Sequence, residues 1–134
     1  MTMTLKQYFQ TASGSGVLAT ADAKGKVDAA IYSTPHVMDD GTVAFIMRER
    51  LTHENLQSNP FATYLYQEAV PGHKGLRLYL KKIREDDNAE LIATMTRRHL
   101  SPELDASKGP KHLVYFTVEK VLPLIGSGAP PVTL

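Results

Sequence analysis

The stretch VAFIMRERLTHENLQSNPFATYLY, residues 43–66, decides the expected fold. It opens on an apolar run of strand-forming residues and continues into about two turns of helix from Thr52, with Leu56 facing inward. Ser-Asn-Pro ends this helix, because proline disfavours helical geometry in the residue before it. FATYLYQ, residues 61–67, then resumes the strand pattern. The stretch therefore predicts a strand, a short helix and a second strand.

The residues before this stretch predict a helix and a hairpin. An amphipathic stripe with spacing i, i+3, i+4 and i+7 predicts the helix, and it consists of Leu5, Tyr8, Phe9 and Ala12. VLATAD and VDAAIYS are strand-like runs separated by the polar turn AKGK, and TPHVMDDG is either a strand with a turn or a loop. A third strand, TVAFIM, follows in either case.

The residues after this stretch predict two strands around a helix. A strict alternation of apolar and polar residues predicts a strand at LRLYLKK. The next segment, DDNAELIATMTRRH, predicts a helix capped by Asp86 or Asp87. A loop, SPELDASKGP, and a long strand, HLVYFTVEKVLPLIG, are predicted after it. Hairpin-linked strands dominate, so we expect a mainly β fold. The predicted architecture is an antiparallel split or nearly closed barrel of about six strands with two to three peripheral helices.

Composition narrows the class of protein. With 134 residues, 43% of them apolar, the chain predicts one domain, and a net charge of +1 gives no general cationic field for nucleic acid. The absence of cysteine excludes disulfides, thiolate metal sites and a cysteine nucleophile. No signal-peptide pattern and no run of about 20 apolar residues is present, so we expect a soluble, cytoplasmic protein without membrane or nucleic-acid partners.

The helix start at residues 48–54 carries an unusual charge pattern. Arg48, Arg50 and His53 gather around Thr52, the best N-cap in the stretch, although a helix N-terminus is itself partly positive. Surface ion pairs, such as Arg50 with Glu54, are one explanation. A bound phosphate, held by free amides, the Thr52 hydroxyl and an arginine, is the other. Local chemistry leaves both open.

Other motifs give no site. GSGVLA, residues 14–19, matches a dinucleotide-binding fingerprint only formally, because here a helix precedes it and a strand follows, and it predicts a flexible turn. The histidines at 36, 53, 73, 99 and 112 form no i, i+4 pair, so no metal site is predicted. There is no G-x-S-x-G nucleophile motif. The charge runs KKIREDDNAE and TRRH are interpreted as a solvated strand end with a helix cap and as a helix end.

Residues 43–66, together with the order of elements around them, resemble the pyridoxamine 5'-phosphate oxidase-like family of FMN-binding split barrels, especially its small members. In that family a strand leads into a short loop, a short helix ending in Asn-Pro and the next strand, and the loop and the start of the helix hold the FMN phosphate. Residues 43–66 match this layout, including Asn59-Pro60. The resemblance extends more loosely to GVLATAD, GLRLYLKK and VYFTVEKVLPLIG. It implies a single FMN-binding split-barrel domain over residues 1–134 and a homodimer with the flavin at the subunit interface.

The resemblance also implies site residues. The Thr-x-x-Asn of the small members matches Thr52 and Asn55, and GLRLYLKK is the segment expected to reach across from the second subunit. Charge, rather than resemblance, adds two arginines and a histidine to the phosphate contacts. The complete predicted FMN-binding set is Ala30, Ile31, Tyr32, Ser33, Met47, Arg48, Arg50, Leu51, Thr52, His53, Asn55, Gly75, Leu76 and Arg77.

The expected function is that of a flavin-dependent oxidoreductase acting on a small molecule, with no catalytic side chain required. The tail GSGAPPVTL lacks a counterpart of the tryptophan- and arginine-containing substrate segment of the true oxidases, so pyridoxamine-phosphate oxidation is not expected. A non-catalytic carrier or sensor of flavin, or of a tetrapyrrole-like ligand, is the alternative. A dimerisation module with an empty pocket is a third.

Overall fold

The computed structural model describes residues 3–97 and 99–133. The strands in these ranges are β1 (Met3–Thr4), β2 (Gly14–Ala21), β3 (Val27–Ile31), β4 (His36–Val37), β5 (Val43–Arg48), β6 (Phe61–Glu68), β7 (Gly75–Asp86), β8 (Lys111–Pro123) and β9 (Val132–Thr133). The helices are α1 (Leu5–Thr11), α2 (Leu51–Ser58), α3 (Ala89–Met95) and α4 (Pro102–Ser107). In the described ranges, no helix is long and apolar enough to cross a membrane.

Seven strands form one antiparallel sheet in the order β3-β2-β6-β7-β8-β5-β4, and β1 pairs with β9 in a separate parallel ribbon. Four strands lie between β3 and β5 in this order. The ring of Tyr32, just after β3, nevertheless packs edge-on against the ring of Phe45 of β5, with ring centroids 5.9 Å apart. The sheet therefore curls until its two ends approach each other. The predicted mainly β, antiparallel and nearly closed architecture is confirmed.

The core lies inside the curled sheet. Alternate residues of β2 and β6 point inward, and Leu18 and Tyr64 are fully buried there. The predicted stripe of α1 is confirmed, because α1 buries Leu5 and Tyr8 against this core. Thr4 begins α1 with a capping box in which its side chain accepts from the Gln7 amide.

Three helix starts differ from the predictions. The N-cap of α2 is Arg50, not Thr52, and that of α3 is Asn88, whose side chain accepts from the Leu91 amide, rather than Asp86 or Asp87. The loop predicted for SPELDASKGP is wrong, because Ser101 caps α4 by accepting from the Leu104 amide. Proline follows at the first helical position, which it favours. This N-terminal signal was in the sequence and was missed.

Two strand limits also differ. The flexible turn predicted at residues 14–19 is wrong, because these residues begin β2. A Cβ on Gly14 would stand 2.1 Å from the Gln67 carbonyl oxygen, so glycine serves close approach to β6 rather than flexibility. β7 continues to Asp86 through much of the charge run, because Arg84 to Asp86 pair with residues 113–115 of β8.

Candidate cofactor-binding site

A cleft opens where the end of β3 meets β5 and the start of α2. It consists of two adjoining cavities of about 340 and 270 Å³, a size typical of ligand pockets. Both cavities are lined by Ile31, Tyr32, Ile46 and Arg48. Ser33 lines the larger one, and Ala30, Arg50, Leu51 and Thr52 line the smaller one. The structure thus brings most of the predicted β3 and α2 residues together at one cleft.

The N-terminus of α2 faces the smaller cavity without a side-chain cap. Arg50 has extended backbone angles (φ −130°, ψ −177°) and its side chain makes no capping hydrogen bond. The first amides of a helix have no partner within it, so those of Leu51, Thr52 and His53 lack intrahelical acceptors. Within residues 3–97 and 99–133, no carboxylate lies within 4.0 Å of the Arg50 guanidinium, so the suggested pair with Glu54 does not form.

Arg48 is held by neighbouring protein groups. Its guanidinium donates to the Asp105 carboxylate at 2.7 Å and to the carbonyl oxygens of Asp105 and Gly109 at 3.2 and 2.6 Å. Lys111 Nζ lies 3.2 Å from the same carboxylate, and hydrogen bonds from Arg48 and Lys111 lower the pKa of Asp105. Arg48 therefore lines the cleft while anchoring α4 to β5. Of the two arginines predicted from charge to contact the phosphate, Arg50 is the one without such partners among the described residues.

Tyr32 and Thr52 both line the smaller cavity, and Tyr32 also lines the larger one. Thr52 is 3% exposed, and burial raises the pKa of Tyr32, although the Thr52 side chain and the Arg50 charge act in the opposite direction. The Tyr64 hydroxyl donates to the Tyr32 carbonyl oxygen at 3.1 Å. The backbone at the end of β3 is thus fixed from the core side.

Two predicted residues turn away from the cleft. Asn55 is buried, and its side-chain amide donates to the Thr20 hydroxyl at 3.1 Å, which joins α2 to β2. Met47 is 1% exposed and packs in the core, so only its backbone is near the site. Of the Thr-x-x-Asn pair, Thr52 therefore lies at the cleft, whereas Asn55 positions the helix.

The three residues predicted from β7 do not line these cavities. Gly75 and Leu76 are buried, and Arg77 donates to the carbonyl oxygens of Pro123 and Gly126. Leu76 and Arg77 pair with β8 of the same subunit, and Gly75 pairs with Gln67 of β6.

The His53 side chain enters a separate cluster behind α2. Its Nε2 lies 3.0 Å from the Glu85 carboxylate, and its ring stacks on His112 with centroids 4.2 Å apart. Burial acts to raise the pKa of Glu85, but hydrogen bonds from Lys82, Gln57 and His53 outweigh it and lower that pKa to about 2. Sequence spacing gave no sign of this convergence.

Several cleft residues were absent from the prediction. The larger cavity is also lined by Thr34, His36, Phe45, Thr96, Arg97, Asp105 and Lys111. Arg97 donates to the carbonyl oxygens of Thr34 and Pro35, not to the carbonyl groups at the end of its own helix. The interpretation of TRRH as a helix end therefore missed the role of Arg97. It fixes the segment after β3, and only the tertiary contact reveals this.

No family model and no curated protein matches the sequence. Solved structures do match. An FMN-binding protein from Syntrophomonas wolfei aligns with a TM-score of 0.71 at 19% identity, over 92% of this chain and 85% of that one. A Lactobacillus delbrueckii protein described as a possible pyridoxamine 5'-phosphate oxidase aligns with a TM-score of 0.65 at 18% identity. This alignment covers 90% of this chain and 93% of that one. The chain has the pyridoxamine 5'-phosphate oxidase-like split-barrel fold.

A protein described by another ligand shares this fold. The heme storage protein HutZ from Vibrio cholerae aligns with a TM-score of 0.64 at 18% identity, over 89% of this chain and 91% of that one. At these identities the comparisons establish the fold of the chain, and the ligand has to be argued from its own cleft.

Proposed function

We propose that the chain, residues 1–134, is one FMN-binding split-barrel domain that works as a flavin-dependent oxidoreductase. The observation that carries this proposal is the uncapped N-terminus of α2, which faces the cleft beside Arg50 and Thr52. The FMN phosphate would occupy this position, and the flavin ring would lie along residues 30–33. An FMN-binding protein among the structural neighbours supports the choice of flavin.

The local electrostatics favour a phosphate. A phosphate monoester carries a charge of about −1.5 to −2 at neutral pH and offers several strong acceptor oxygens. The α2 N-terminus provides amide donors and the positive end of the helix dipole, and Arg50 provides a full positive charge. A bound phosphate would explain why the cations of residues 48–54 lie beside the positive end of a helix.

The backbone of β3 suits the polar edge of a flavin ring. Among the described residues, β3 is an edge strand paired with β2 alone. The Tyr32 amide donates to the Gly16 carbonyl oxygen at 3.0 Å, so by the period of two the Ile31 amide points away from β2. Backbone groups on this side can hydrogen-bond a ring, and Tyr32 can cover it. When bound, the flavin itself supplies hydride or electron transfer.

The exposed apolar residues support a homodimer. Val27, Ile31 and Phe61 are 78%, 77% and 54% exposed on neighbouring parts of the sheet. Such a patch on a small domain is typical of a protein–protein contact. A second copy of the chain would cover it, and GLRLYLKK of that copy would approach the flavin, with Arg77 the most accessible of Gly75, Leu76 and Arg77.

Titration with FMN and riboflavin tests the binding proposal. We expect the purified chain to quench FMN fluorescence with a 1:1 end point. Replacing Thr52 with Val keeps the side-chain volume but removes its hydroxyl, so it should weaken FMN roughly tenfold, the order of one hydrogen bond to a charged group, and riboflavin less than twofold. A chain that binds no FMN contradicts the function, whereas equal weakening of both ligands contradicts only the phosphate position.

Anaerobic addition of NADH or NADPH separates the enzyme from the carrier. Bleaching of the flavin absorbance supports an oxidoreductase. Bound flavin that neither nucleotide reduces supports the carrier or sensor, for which the heme storage protein of the same fold is the structural precedent.

A further inference from the structure

The His53 cluster lies outside the flavin cleft and serves no role in the proposed function. His53 comes from α2, Glu85 from β7 and His112 from β8, and one donor atom of each lies within 4.8 Å of the others. The carboxylates of Glu49 and Asp87 contact His112 on the solvent-exposed side of this cluster. From this donor set we propose a divalent transition-metal site, for an ion of the zinc class, formed by His53, Glu85 and His112.

The donor atoms face one another as ligands must. His53 Nε2 lies 3.1 Å from Glu85 Oε2, and His112 Nδ1 lies 4.0 Å from the same oxygen. Ligands of a tetrahedral zinc ion stand about 3.3 Å apart, so the first separation is close to this value and the second needs to shorten by about 0.7 Å. The ion would take the place of the protons that these atoms now share.

The surrounding groups orient these ligands. Lys82 and Gln57 both donate to Glu85 Oε1 at 2.6 Å, which leaves Oε2 toward the two histidines. His112 Nε2 lies 3.2 Å from Glu49 Oε1, so that carboxylate can hold a proton on Nε2. Nδ1 of the same ring lies 2.6 Å from Asp87 Oδ1, and the ion would replace the proton shared by these two atoms. A carboxylate that holds the second ring nitrogen is the usual support of a metal-binding histidine.

Charge and access also favour a cation. Three carboxylates, of Glu49, Glu85 and Asp87, face one ammonium, that of Lys82, among the described residues of this cluster. The side chains of His53, Glu85 and His112 are only 11–19% exposed, whereas those of Glu49 and Asp87 are 60% and 67% exposed. The site is therefore shielded on the core side and open to solvent on the other. Asp87 Oδ1 lies 2.6 Å from His112 Nδ1, closer than two ligands of one tetrahedral ion, so it would have to move back by about 0.7 Å to supply a fourth ligand.

Metal binding requires one local change. The two imidazole rings are stacked with planes 8° apart, and ring-nitrogen lone pairs lie in the ring planes. Both lone pairs cannot then point at one ion, so one ring has to rotate out of the stack. Loss of the His53–His112 stacking is a specific consequence of this proposal.

Zinc titration of the flavin-free chain tests the proposal separately from the flavin site. Full-length protein without a polyhistidine tag is stripped with a chelator, dialysed, and titrated with zinc chloride by calorimetry. We expect one saturable zinc per chain, and at least tenfold weaker binding for each of His53→Gln, Glu85→Gln and His112→Gln. His73→Gln, on an exposed loop residue, is the matched control and should change affinity less than twofold.

A spectroscopic measurement on the unaltered chain keeps the test independent of variant folding. Zinc should shift the imidazole ¹⁵N resonances of His53 and His112 and leave those of His73 unchanged. The proposal is overturned if the wild-type chain shows no saturable zinc binding. It is equally overturned if the resonances of His53 and His112 do not move, or if folded His53→Gln and His112→Gln proteins bind zinc as the wild type does.

Discussion

Replacing Arg50 with Gln should weaken FMN binding selectively, because Arg50 is the cation at the uncapped N-terminus of α2. A hydrogen bond to a charged group contributes about 1.5–3 kcal/mol. Arg50 is exposed, so solvent and salt screen it, and we take the lower figure. At about 1.4 kcal/mol for each factor of ten, FMN affinity should fall roughly tenfold. Riboflavin has no phosphate, so its affinity should change less than twofold.

Fluorescence titrations with both ligands at low and high salt provide the assay. The difference between wild type and Arg50→Gln should shrink at high salt, because the Debye length falls from about 10 Å at 0.1 M to about 3 Å at 1 M. Arg84→Gln is the matched control, since Arg84 is also exposed but lies over the Tyr115 ring, away from the cleft. Equal losses for FMN and riboflavin, or an FMN loss in Arg84→Gln as large as in Arg50→Gln, would refute the placement of the phosphate.

Two further predictions concern stability. Thr20→Val removes the acceptor of the buried Asn55 amide, so the free energy of unfolding in urea should fall by about 1–3 kcal/mol, and an unchanged denaturation midpoint would show that Asn55 does not depend on this bond. The pKa values of Tyr8, Tyr64 and Tyr66 are raised, first by burial, so the folded chain holds these phenols protonated. Groups with a raised pKa stabilise fully below the unfolded value of about 10 and lose that contribution as the pH rises above it. Thermal melts should therefore show a falling Tm above pH 10, and a constant Tm up to pH 12 would contradict the assignment.

The order of elements around residues 43–66 was readable from the sequence, because each signal is local. Apolar and polar alternation marks β6, and the proline after Asn59 ends α2 where the structure ends it. The structure also places residues 30–33 and 50–52 at one cleft. The resemblance had pointed to the first group through the second strand of the family and to Thr52 through its Thr-x-x-Asn match, and their contact with flavin stays a prediction.

The exact helix starts were less readable. Thr52 is the better cap by residue type, yet the chain leaves β5 so that Arg50 takes the N-cap position and Thr52 becomes buried in the first turn. The residue that takes the N-cap position depends on where the preceding strand ends in space. N-cap preferences of residue types do not specify that position.

The sequence by itself determined the strand-helix-strand centre, the antiparallel class and the charge gathered at residues 48–53. The tertiary structure alone decided what each charge does. It joined Arg48 to Asp105, left Arg50 at the helix end, and turned His53 toward Glu85 and His112. The partners in these contacts lie 32 to 59 positions apart in the chain. At such separations the curl of the sheet, not local spacing, sets which side chains meet.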